Sequence, residues 1–131
     1  MKPIHTLALA IPALALGACT AEMDDDYVSD APAARVVGEA VSCIPITQIS
    51  SSQIHDNRTI DFDMTGTRTY RNTLPHNCPG LKIADSFTYE TSLSNLCNTD
   101  IIYPLENFGG TFRRGAGCGL GEFVPIEYIE D

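Results

Sequence analysis

Apolar and polar residues alternate with a period of two through the body of the chain. Residues 59–64 read Thr-Ile-Asp-Phe-Asp-Met, which puts Ile60, Phe62 and Met64 on one face and Asp61 and Asp63 on the other. That is the pattern of a half-buried strand. Thr65-Gly66-Thr67 reads as a turn, and residues 68–74, Arg-Thr-Tyr-Arg-Asn-Thr-Leu, as the next strand. Turn length decides the register. A two-residue turn sets Phe62 against Thr69 and Ile60 against Arg71. A three-residue bulged turn sets Phe62 against Tyr70 and Asp61 against Arg71, matching apolar with apolar and acid with base, and is the register expected. The Asp61–Arg71 pair is then expected on a solvated face, contributing a few tenths of a kcal/mol.

Further strands are predicted over 45–54, 85–91, 100–105 and 122–129, with His55-Asp56-Asn57-Arg58 as the turn after the first. Phe87, Tyr89, Ile101 and Tyr103 are expected to face inward. No window of about eleven residues carries 3.6-residue apolar spacing, so helix does not dominate. About six short strands with turn signals between them predict an all-β fold, a small antiparallel barrel or sandwich.

The N-terminal pattern differs. Lys2 precedes a short apolar run from Leu7 to Leu16, followed by Gly17, Ala18 and Cys19. The run is too short for a spanning helix and has the form of a secretory signal peptide. Leu16-Gly17-Ala18-Cys19 resembles the lipobox of bacterial lipoproteins. The resemblance implies cleavage after residue 18 and acylation of Cys19, and Thr20 in the next position implies sorting to the outer membrane. Residues 20–41 contain six acids and one base with no sustained period. Such a strip is expected to be a solvated tether of about 25 Å r.m.s. span. The predicted organisation is therefore signal peptide 1–18, lipidated cysteine and acidic tether 19–41, and β domain 42–131.

Cys43, Cys78, Cys97 and Cys118 remain for the domain. Four cysteines in a small exported domain predict two disulfides, each stabilising by roughly 3–4 kcal/mol. There is no C-x-x-C, and the spacings do not supply the close pairs of a zinc site. In a regular meander Cys43 and Cys97 lie at one end and Cys78 and Cys118 at the other, which favours 43–97 with 78–118. A single long connection would reverse that parity.

Eight Lys and Arg stand against 17 Asp and Glu, a formal net charge of −9. That argues against a nucleic-acid partner, which needs a basic surface. Tryptophan is absent. His55 and His76 are the histidines beyond the signal segment, and neither sits in a nucleophile elbow or zinc signature. No enzymatic activity, metal or cofactor is expected. Asp56, Arg58 and His76 are the residues an enzyme reading would use, and Asp56 and Arg58 are also candidate binding residues. Six glycines between 109 and 121 lack the lysine or fingerprint of a phosphate loop, and Gly117-Cys118-Gly119-Leu120-Gly121 is expected to bend the backbone around a disulfide. Arg113 and Arg114 form the chain's one basic doublet. They are candidates for meeting an anionic headgroup, a peptidoglycan carboxylate or an acidic partner.

Taken together, Cys43-Ile44, Asp56-Asn57-Arg58-Thr59-Ile60, Tyr70-Arg71-Asn72-Thr73-Leu74, Cys78-Pro79-Gly80-Leu81, Leu96-Cys97-Asn98-Thr99-Asp100-Ile101 and Cys118-Gly119-Leu120-Gly121-Glu122-Phe123 resemble an uncharacterised family of small four-cysteine exported proteins of Gram-negative bacteria. The resemblance implies one domain with paired cysteines and carries no activity. The function expected is that of a membrane-anchored periplasmic lipoprotein, a non-enzymatic binding or structural module with an envelope protein or peptidoglycan as partner. The alternative is an inhibitor of an envelope-active lytic enzyme.

Overall fold

The computed structural model describes residues 27–91 and 93–130. Cys19 and the signal-like segment lie outside the described residues.

Alternation in β4 (Thr59–Met64) does what the sequence implies on its inner face: Ile60 and Phe62 are fully buried and Met64 nearly so. The chain turns through Thr65-Gly66-Thr67 into β5 (Thr69–Thr73), with Phe62 opposite Tyr70 and Asp61 opposite Arg71. Gly66 supplies the positive φ of 98° that this turn needs. On the other side β4 pairs with β3 (Ile49–Asp56). The turn between them is Asn57-Arg58 alone, so His55 and Asp56, expected in the turn, are the last residues of the strand. β11 (Phe123–Tyr128) flanks β5, and β1 (Ala34–Val36) flanks β11. The result is a five-stranded antiparallel sheet in the order β1-β11-β5-β4-β3.

Two smaller sheets close over its inner face. β8 (Ile101–Phe108) pairs with β6 (Phe87–Tyr89) on one side and with β9 (Thr111–Arg114) and β10 (Cys118–Gly119) on the other. β2 (Cys43–Pro45) pairs with β7 (Asn95–Cys97). One helical turn, α1 (Leu81–Ala84), lies between β5 and β6. The architecture is mostly antiparallel β, with eleven strands among the described residues rather than about six. The extra strands are three or four residues long or shorter, too short to show a period.

The core lies between the sheets. Phe62 stacks edge-on against Phe123 in its own sheet at 5.5 Å and against Phe87 across the core at 6.1 Å. Ile44, Leu96, Leu74, Leu81 and Ile102 complete it without solvent contact. In β8 the inward residues are Ile102 and Pro104, whereas Ile101 is exposed. The expected inward pair, Ile101 and Tyr103, is thus off by one, which exchanges the faces. Phe87 and Tyr89 do pack against the core.

The disulfides are Cys43–Cys97 and Cys78–Cys118. The first joins facing residues of β2 and β7, and the second carries the fully buried Cys78 to β10. The first staples the two-stranded sheet internally, and the second ties the sheet built on β8 to the segment that follows β5.

The expected tether does not stay clear of the domain. Within 27–41, Ala34–Val36 is a strand of the large sheet. Val37 N–H donates to Pro125 O at 2.9 Å, and Val41 and Phe123 exchange backbone hydrogen bonds. Alanine and valine here are edge-strand residues, and the acids that suggested a spacer lie mostly before residue 27.

Candidate functional site

Three clusters hold the residues with chemical potential. The first begins in the Asn57-Arg58 turn. Oδ1 of Asp56 accepts from Arg58 N–H at 2.7 Å, the side-chain-to-backbone bond by which aspartate forms such turns. The same carboxylate receives the N-terminal segment: Tyr27 Oη donates to Oδ1 at 2.6 Å and Asp30 N–H to Oδ2 at 2.9 Å, with Ser29 Oγ at 3.2 Å. Arg58 lies over the Tyr27 ring, 4.4 Å from its centre, and donates to the carbonyls of Leu74 and Pro75. Burial would raise the Asp56 carboxyl, but these donors outweigh it and hold it below the usual range. The Tyr27 phenol, half-buried against that charge, is pushed up. Asp56 and Arg58 are therefore occupied in fastening residues 27–30 to the sheet.

The second cluster is on the outer face of the large sheet. Asp61, expected in solvent, has no exposure. Arg71 donates Nε–H to Oδ1 at 2.8 Å and Nη2–H to Oδ2 at 3.0 Å. Oδ2 also meets Tyr128 Oη at 2.7 Å and His55 Nε2 at 2.9 Å. Arg71 uses Nη2 again on Pro32 O at 2.9 Å. The covering of this face comes from β3, β11 and the N-terminal segment, none of which is visible in the sequence of β4. Burial pushes the Asp61 carboxyl up, but the hydrogen bonds from Arg71 and Tyr128 and the arginine's charge outweigh it, so it sits below the usual range. Tyr128 is raised well above an ordinary phenol by burial and by Asp61.

Four groups converge on Asp61, three of them on Oδ2 and Arg71 Nε alone on Oδ1. It is held ionised, with its charge matched by partners inside the fold. Asp63, next along the face, accepts from Thr69, Ser51 and Gln53. Among the described residues no three His, Cys, Asp or Glu side chains come together as a metal-holding group. His76 is exposed in the turn after β5, remote in sequence from His55 and not hydrogen-bonded to either cluster.

The third cluster is the β8–β9 hairpin. Gly109 and Gly110 form its two-residue turn, both with positive φ, 62° and 93°. A two-residue turn with both centres at positive φ matches the twist of its strands. Phe108 and Phe112 flank the turn, 57% and 62% exposed. Arg113 lies over Phe108 at 5.3 Å, and Arg114 over Tyr103 at 5.2 Å with its guanidinium on Glu90 at 2.9 Å. Ile83 of α1, 94% exposed, lines a cleft of about 260 Å³ with Phe108 and Glu106.

Of the sequence-predicted residues, Arg113 and Arg114 share one exposed element, whereas Asp56 and Arg58 belong to a different, internally paired cluster. Cys19 lies outside the described residues. Sequence reasoning missed Tyr27, Tyr128, Phe108 and Phe112. The Phe-Gly-Gly-Thr-Phe stretch is the one signal that could have found the last two. The glycines between 109 and 121 also divide by role. Gly109 and Gly110 make the hairpin. Gly121 exchanges two hydrogen bonds with the buried Asn72 side chain, 2.7 and 2.8 Å, where a Cβ would stand 2.3 Å from Thr73 O. No family model, no curated protein and no solved structure matches this chain.

Proposed function

We propose that the chain is a non-enzymatic binding module of the bacterial cell envelope. In this reading it is a lipoprotein held to the outer membrane through acylated Cys19, facing the periplasm. It meets its partner through the surface shared by α1 and the β8–β9 hairpin. The observation that carries the reading is where free and engaged groups fall. Asp56 and Asp61 spend their hydrogen-bonding capacity inside the fold, while both exposed phenylalanines stand at one hairpin. Large apolar side chains grouped in solvent mark contact surfaces. Two disulfides in so small a core suit an oxidising compartment. The open edges of β1, β3, β6 and β9 favour a sandwich over a closed barrel.

Photo-crosslinking in intact cells tests the contact surface. A photoreactive residue at position 112 is expected to give reproducible adducts, and one at Ser50, on the exposed start of β3, none. Adducts from Ser50 with none from position 112 would remove the reading.

A further inference from the structure

The hairpin's apolar groups are not on one face. The register pairs Phe108 with Thr111 and Asn107 with Phe112. Paired residues share a face and successive residues alternate, so Phe108 and Phe112 project from opposite faces. The cations alternate in the same way: Arg113 joins Phe108 on one face, and Arg114 joins Tyr103 on the other. Each face thus carries an aromatic ring near the Gly109-Gly110 tip and a guanidinium further back.

A flat partner surface covers one face of a hairpin and leaves the other in water. A fluid lipid surface surrounds both. Strands rise about 3.4 Å per residue, so on each face the arginine stands two residues, about 7 Å, behind the ring. Interfacial elements sink their apolar groups about 5–10 Å, which sets cations at that distance among the headgroups. The doublet is also the one place where this chain, with a net charge of −9, sets two bases side by side. Glu106 lies opposite Arg113, and Glu90 pairs with Arg114, so local charge near the tip is balanced rather than acidic.

We propose that the β8–β9 hairpin inserts its tip into an anionic lipid surface, with Phe108 and Phe112 below the headgroups and Arg113 and Arg114 among them. The inference rests on the reading of this hairpin as the contact surface and names its partner. It makes the hairpin a second attachment besides the one proposed at Cys19.

The chain has no tryptophan, so Phe112→Trp gives a single reporter. The chain from residue 19 onward carrying Cys19→Ser, and so neither the signal-like segment nor an acyl group, is mixed with vesicles of phosphatidylglycerol and phosphatidylcholine. The expected result is a lipid-saturable blue shift of emission. Vesicle binding should fall by about tenfold or more in Phe108→Ser/Phe112→Ser. Arg113→Gln should weaken binding to anionic vesicles and not to neutral ones. A tryptophan at Ser50 should show no shift. Unchanged circular dichroism and melting temperature in each variant show that the fold is kept. No shift at position 112 in a folded protein overturns the inference, as does binding that survives the double serine variant. If vesicles fail while cellular crosslinks from position 112 go to a protein, the lipid inference falls and the contact surface stands.

Discussion

Arg71 grips Asp61 with two parallel hydrogen bonds, Nε to Oδ1 at 2.8 Å and Nη2 to Oδ2 at 3.0 Å, on a carboxylate with no exposure to solvent. A buried charge with one partner removed is left uncompensated. Asp61→Ala is therefore expected to cost about 3–5 kcal/mol, since Arg71, Tyr128 and His55 all lose their acceptor. Asp63→Ala, on the same strand and face, breaks hydrogen bonds at a more solvated position and should cost about 1 kcal/mol. Urea unfolding of the two variants measures the difference. Equal losses would show that the cluster does not bear on stability in this way.

The fastening of residues 27–30 is separable from the rest. Asp56→Ala leaves the Tyr27 hydroxyl and the amides of Asp30 and Arg58 without their acceptor. A loss of about 2 kcal/mol is expected, with Tyr27→Phe costing about half as much. Proteolysis between residues 27 and 40 should accelerate in both, while the hairpin stays intact. An unchanged cleavage rate would mean that the segment is held by β1 pairing alone.

Stability should depend on pH at both ends of the scale. Asp56 and Asp61 are held below the ordinary carboxyl range, so unfolding takes up protons in acid. Their contribution is whole above about pH 4, the unfolded value, and is lost as pH falls through the lowered native values. Tyr128 is raised, so its contribution is whole below about pH 10 and is lost as pH rises toward the native value. Thermal melts across this span should show a plateau between two declines. Asp61→Asn should flatten the acid decline and Tyr128→Phe the alkaline one. An acid decline of unchanged steepness in Asp61→Asn contradicts the assignment.

Two glycines two residues apart should respond unequally to alanine. At Gly121 a methyl group meets the Thr73 carbonyl, and at Gly119 it meets nothing within 4 Å. Gly121→Ala is expected to cost about 2 kcal/mol or more and Gly119→Ala less than about 0.5. Chemical denaturation of the pair checks this.

What was legible in the sequence was what two-residue alternation and turn chemistry could encode. The bulged turn at Gly66 and the pairing of Phe62 with Tyr70 follow from a clean polar-apolar pattern, and both are present. The disulfide pairing also emerged, although the meander behind it did not: β11 inserts between β1 and β5, and β2 pairs with β7. β8 was misread because Ile101 through Leu105 are all apolar, leaving no alternation to fix the inward face. The burial of Asp61 was hidden for a different reason. A strand's own pattern shows which face is polar, but not that tyrosine, histidine and arginine from other strands will cover it. The hairpin is not legible because nothing in the spacing of the six glycines between 109 and 121 separates the two that form a turn from the one that meets Asn72.

Amide hydrogen exchange, free and with isolated envelope membranes, tests the central claim most directly. β9 pairs on one side only, so its outward amides exchange freely in the free protein and report any contact. The account predicts new protection confined to Asn107–Arg114, with Ser51–Asp63 unchanged. Protection over the Asp61 face, with the hairpin still exchanging freely, would contradict it.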